Sequence, residues 1–137
     1  MGTWGIGPFE NDGANDWAYS LEETSDLGLV ESALDAVIAS AGDYLEAGTG
    51  EIGLAACEVL ACMLGRGLKP DAYSKKVHAW VASVDLEPDT AIIAKAQSAI
   101  DRIVGPGSEL RELWEESDDA DAWRSSVQDL RSRLSRT

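Results

Sequence analysis

An all-α domain of six or seven helices is the fold class this chain predicts, and three observations predict it. Apolar residues recur at three- and four-residue spacing through most of the 137 residues. No stretch alternates apolar and polar side chains with the β-branched enrichment of a strand. Glycines, prolines and capping residues interrupt the periodic stretches where helices would end and begin.

Residues 1–13, MGTWGIGPFENDG, hold four glycines and a proline, too many for a regular helix. Trp4, Ile6 and Phe9 are large and apolar, so residues 1–12 are expected to form an arm packed on the helices. Asn11 or Asp12 can cap the first helix, in which Ala14, Trp17, Ala18 and Leu21 share a face. A second helix follows Ser25 or Asp26, with Leu27, Val30, Leu34, Val37, Ile38 and Ala41 as its stripe and Gly42 as its stop.

Residues 43–50 read as a connection with room for one helical turn. The third helix is expected from about Glu51 to Leu64. It is apolar nearly all round, and such a helix belongs at the centre of a bundle. Gly65-Arg66-Gly67 ends it. Pro70 and Ser74 lead into a fourth helix carrying Val77, Trp80, Val81 and Val84. Pro88 is expected in the first turn of a fifth, lined by Ile93, Ala96, Ile100 and Ile103 and broken at Gly105-Pro106-Gly107. Ser108 caps a short sixth helix with Leu110, Leu113 and Trp114 on its stripe. Asp118 or Asp119 opens a seventh, where Ala120, Trp123, Val127, Leu130 and Leu134 recur and arginines gather at the end, as the helix dipole favours. The connections are short, which predicts antiparallel hairpins.

The length is that of one ordinary domain, so residues 1–137 are expected to fold as a single helical unit. Apolar residues make up 45%, enough for a core without disulfides or metals. Cys57 and Cys62 lie five apart in one helix, on different faces, and are expected as free thiols. No apolar run is long enough to span a membrane. The first residues carry neither the basic nor the apolar region of a signal peptide, and Ile6 breaks the myristoylation pattern that Met-Gly would open. A cytoplasmic location is the expectation.

Charge is the most informative quantity. The net charge is −14. Residues 1–65 hold twelve acids and no Lys or Arg, whereas the remainder holds thirteen acids and eleven bases. The N-terminal half therefore projects a negative field unless the arginine-bearing half folds over it. Such a field repels phosphate backbones, which disfavours ordinary nucleic-acid binding. It attracts a basic protein partner or a divalent cation, or it serves solubility alone.

Three groups of residues invite a chemical reading. Glu10, Asp12 and Asp16 could offer oxygen ligands to magnesium or calcium, although the spacing of a calcium loop is absent; the structural alternative is capping by Asn11 or Asp12. Glu51 and Glu58 lie seven apart in the apolar third helix. They could serve acid–base chemistry, or pair with arginines from the C-terminal half. His78, the only histidine, sits beside Lys75 and Lys76 on what reads as a solvated face, and no serine is marked as its nucleophile. Four of the five tryptophans fall on apolar stripes. Trp4 and Phe9, with Glu22 and Glu23, are the candidates for contact with a partner.

The opening MGTWGIGPFENDGANDW resembles the start of a bacterial family catalogued as domain of unknown function 4259. Members begin with Met-Gly-x-Trp-Gly, followed by a Phe-Glu/Asp-Asn-Asp segment and an Asp-Trp on the first helix. The Ala-x-Glu-Val run from Ala56 to Val59 and the stretch SELRELWEES from Ser108 to Ser117 extend the resemblance over nearly the whole chain. It implies a small helical domain and carries no activity, cofactor or site residue.

Three readings of function remain from the sequence: a non-enzymatic interaction protein, of immunity or inhibitor type in one version, using the acidic N-terminal face; a metal-dependent enzyme using Glu10, Asp12, Asp16, Glu51 or Glu58; and a helical domain whose acidity is only solubility. No organic cofactor is expected.

Overall fold

The computed structural model describes residues 6–40, 42–70 and 74–135. It contains seven helices: α1 (Asp12–Leu21), α2 (Gly28–Ala39), α3 (Ala47–Met63), α4 (Lys75–Val84), α5 (Thr90–Ile103), α6 (Glu109–Glu115) and α7 (Ala120–Leu134). Among the described residues there is no strand, only an isolated bridge between Leu45 and Ser108. No helix among them is long and apolar enough to cross a membrane.

The central element is α3. Every residue from Gly53 to Ala61 is buried, and the helix touches each of the other six. It begins at Ala47, four residues before the expected start at Glu51. Glycine at two positions of the helix lets its neighbours close in on it. A Cβ on Gly50 would stand 3.3 Å from Leu110 Cδ2, and one on Gly53 would stand 2.6 Å from Val37 Cγ2, so both positions admit close approach by neighbouring helices. Further along, α3 ends in a paired turn. Gly65 takes φ +76. Its N–H donates to the Cys62 carbonyl and the Arg66 N–H to the Ala61 carbonyl, satisfying two carbonyls that the helix end would otherwise leave open.

The other helices follow their stripes. Asn11 caps α1, its Oδ1 accepting the Ala14 N–H at 2.7 Å. Asp89 caps α5 in the same way through Ile92. Pro88 thus precedes the cap and lies two residues before the first turn in which it was expected. At α2 the start is reinforced by Asp26, whose Oδ1 accepts the Gly28 N–H. Ala41, placed on the α2 stripe by its spacing, lies outside the described residues. Trp80 is buried on α4, and its Nε1 donates to the Thr24 carbonyl at 2.8 Å, fastening α4 to the α1–α2 turn. Trp114 and Trp123 stack with centroids 6.2 Å apart, joining α6 to α7. Leu113 departs from expectation: it is 52% exposed. A helix of two turns has one inward line, and Leu110 and Trp114 occupy it. Of the N-terminal arm, Phe9 is in the core and Ile6 packs against it.

Candidate functional site

The buried polar centre of the molecule is built around Glu58. It sits in the middle of α3 because helical spacing brings one position of an otherwise apolar helix opposite the end of α7. Its carboxylate is 3% exposed and is held by Arg133 of α7 in a two-point pair, Nη2 to Oε1 at 2.9 Å and Nη1 to Oε2 at 3.0 Å. The Leu68 N–H donates to Oε2 at 2.9 Å. The Gly65-Arg66-Gly67 turn delivers that N–H by folding the chain back over the end of α3. Gly67 packs so tightly there that a Cβ would stand 2.3 Å from Cys62 Sγ. Arg133 also donates to Asp129 Oδ2 and to the Arg66 carbonyl. Burial opposes the Arg133 charge, but the hydrogen bonds and charges of Glu58 and Asp129 outweigh it and raise the guanidinium pKa above its ordinary value.

Cys62 lies one turn along from Glu58, its Sγ 3.8 Å from Glu58 Oε2 and 3.8 Å from His78 Nε2. A cavity of about 70 Å³ beside them is lined by Glu58, His78, Ser74, Lys69, Glu10 and the Gly7–Phe9 stretch. Cysteine, histidine and glutamate together invite comparison with a thiol nucleophile and its base. The electrostatics run the other way. Burial, followed by the negative charge of Glu58, pushes the Cys62 thiol up to about 12, with Arg133 opposing. At neutral pH it is a thiol, whereas a reactive cysteine needs its pKa lowered. Cys57, fully buried, is raised further by burial. Both cysteines are free.

The carboxylates singled out in the sequence are dispersed. Glu10 turns back on its own arm, Oε1 accepting the Gly7 N–H at 3.0 Å. Asp12 and Asp16 lie exposed on α1. Glu51 is half-buried on α3, beside a narrow crevice bounded by the arm, Trp114 and Trp123. Among the described residues no three His, Cys, Asp or Glu side chains come together in a way that could hold a metal ion. Of the candidates for partner contact, Glu22 and Glu23 are exposed, Phe9 is buried at 4% exposure, and Trp4 lies outside the described residues.

The exposed side of α1 forms a second feature. Asp12, Asp16, Tyr19 and Glu23 follow one another at helical spacing, with Glu22 beside them, and all are exposed. Tyr19 is 63% exposed, and its ring carries the Lys76 ammonium 4.6 Å from the centroid. None of these four acids forms an ion pair with a described residue, in contrast to Glu31 and Asp35 of α2, which share Lys95 at 2.8 Å each.

Sequence reasoning anticipated an arginine from the C-terminal half as a possible partner of Glu58 without singling out Arg133. It missed the Leu68 N–H and the approach of His78 to Cys62. The glycines flanking Arg66 were the one signal, since they mark a chain reversal at the end of α3.

Fold and site together define a small acidic helical bundle that neutralises one interior carboxylate with an arginine and carries its remaining N-terminal acids largely outside. The chain belongs to the family described as Domain of unknown function (DUF4259), whose sequence model matches residues 2–126. No curated protein and no solved structure matches the chain.

Proposed function

We propose that this protein is a non-enzymatic interaction module, acting in the cytoplasm, that presents the outer face of α1 and its exit turn to a basic protein partner. The observation that carries the reading is the contrast among its acids. Glu58, Glu31 and Asp35 have cations of this chain on them, and Asp12, Asp16, Glu22 and Glu23 have none among the described residues. Those four surround Tyr19, a rigid amphipathic side chain of the kind that anchors interfaces. A face dominated by acids, even with Lys76 over the Tyr19 ring, speeds encounter with an oppositely charged surface and turns away phosphate polymers. An immunity or inhibitor protein directed at a basic toxin fits this description.

The test is affinity capture from the source lysate at low and moderate ionic strength. It compares the native chain with a Glu22→Lys, Glu23→Lys variant whose fold is checked by circular dichroism. The expected result is a basic protein that the native chain retains, that leaves as salt rises and that the variant fails to hold. Equal recovery by the variant rules out this face.

A further inference from the structure

The outer side of α6 is apolar where the sequence puts core and acidic all around it. Leu113, 52% exposed, shares that side with Glu109, Glu112 and Glu116, at the three-, four- and seven-residue spacing of one helical face. The opposite side of the helix buries Leu110 and partly buries Trp114. Tyr44, also 52% exposed, stands against this face and donates its hydroxyl to Glu112 Oε1. The segment holding Tyr44 is fixed to the start of α6 by two backbone bonds and one to a side chain. The Leu45 N–H donates to the Gly107 carbonyl, the Glu109 N–H to the Leu45 carbonyl, and the Ala47 N–H to Glu109 Oε1 at 2.8 Å. Exposed Glu46 is thereby placed next to the same surface. The hydrogen bond to Glu112, desolvation, and then the charges of Glu112, Glu109 and Glu116 push the Tyr44 hydroxyl up to about 12, so these acids act together on one spot. The arginines of this region are engaged, Arg111 and Arg124 both on Glu115, and Arg102 on the Asp43, Pro106 and Gly107 carbonyls.

We infer that Tyr44 and the Glu109–Glu112–Leu113–Glu116 face form a second docking surface, for a lysine- or arginine-rich protein segment that carries an apolar residue among its cations. Leu113 and Tyr44 supply the apolar contact, and the glutamates supply the charge that selects the flanking cations. A second copy of this chain is a poor occupant, because two bodies of net charge −14 repel. Nucleic acid and anionic lipid are repelled for the same reason. The surface is carried by different helices from the α1 face, and the inference stands whether or not α1 binds a partner.

The test uses two labelled synthetic peptides of equal charge, an amphipathic leucine–lysine helix and an oligolysine. Binding is followed by fluorescence anisotropy, and the contact is mapped by amide chemical shifts on the native protein. Shifts from the leucine–lysine peptide should concentrate at residues 44–46 and 109–116. Leu113→Ser should weaken that peptide about tenfold and leave the oligolysine unchanged, the tenfold being the size expected for losing part of one leucine's burial. Unchanged affinity in Leu113→Ser overturns the inference, as do shifts spread equally over α1 and α6. Sedimentation showing a dimer that Leu113→Ser dissolves would also overturn it, by giving the surface to a second copy.

Discussion

The seam between α3 and α7 and the outer face of α1 treat the same chemical group in opposite ways. In the seam one carboxylate, Glu58, is withdrawn from water and receives a two-point guanidinium and a backbone N–H. On α1 several carboxylates stay in water with no cation of the described chain upon them. A buried charge must be compensated where it stands, because the interior offers no water to do it. An exposed one needs nothing. The difference separates carboxylates that the fold depends on from those that it leaves free for other uses.

The largest effect expected from breaking this contrast is at Arg133. Arg133→Ala strands Glu58 in the core and should cost about 3–5 kcal/mol, read from urea denaturation, with the lower end favoured because the arginine is itself partly exposed. Removing both charges, as Glu58→Gln with Arg133→Met, should recover most of that loss. A double variant as weak as the single one would mean that packing, not the stranded charge, sets the penalty.

A smaller effect sharpens the comparison through pH. The Cys62 and Cys57 thiols are held protonated in the fold, Cys62 up to about 12. The unfolded chain releases these protons near the ordinary thiol value of about 8.5. Above that pH the folded state holds more protons than the unfolded one, so stability falls as pH rises and is unaffected by these groups below it. Urea midpoints should therefore drop between about pH 8 and pH 10, and Cys57→Ala and Cys62→Ala should each flatten the drop. A flat profile in the native chain would show that the thiols are not shielded as described.

The smallest effect is at the surface. Glu22→Gln with Glu23→Gln should change stability by no more than about 0.5 kcal/mol in thermal melts. A larger loss would make these residues braces of the fold instead of a free face.

The helices were legible because their stripes are long. In α7, Trp123, Val127, Leu130 and Leu134 declare one face without help from elsewhere, and all four are buried. Legibility failed where a decision rests on a neighbour. The start of α3 reads as loop because Gly48 and Gly50 are poor helix formers, and only the closeness of Leu110 reveals why glycine is used at position 50. Leu113 reads as core because spacing cannot say that a two-turn helix has room for one inward line. The Glu58 centre joins residues 58, 68 and 133, and no local pattern records which arginine will arrive. His78 reaches Cys62 only through the packing of α4 on α3.

The position of Arg133 bears on how this chain should be handled at the bench. The match to the family model ends at residue 126, midway along α7. A polypeptide trimmed there would forfeit Val127, Leu130 and Leu134 from the interior, together with the guanidinium that quenches Glu58. A chain ended at residue 126 is therefore expected to fold less stably than one that keeps α7 whole.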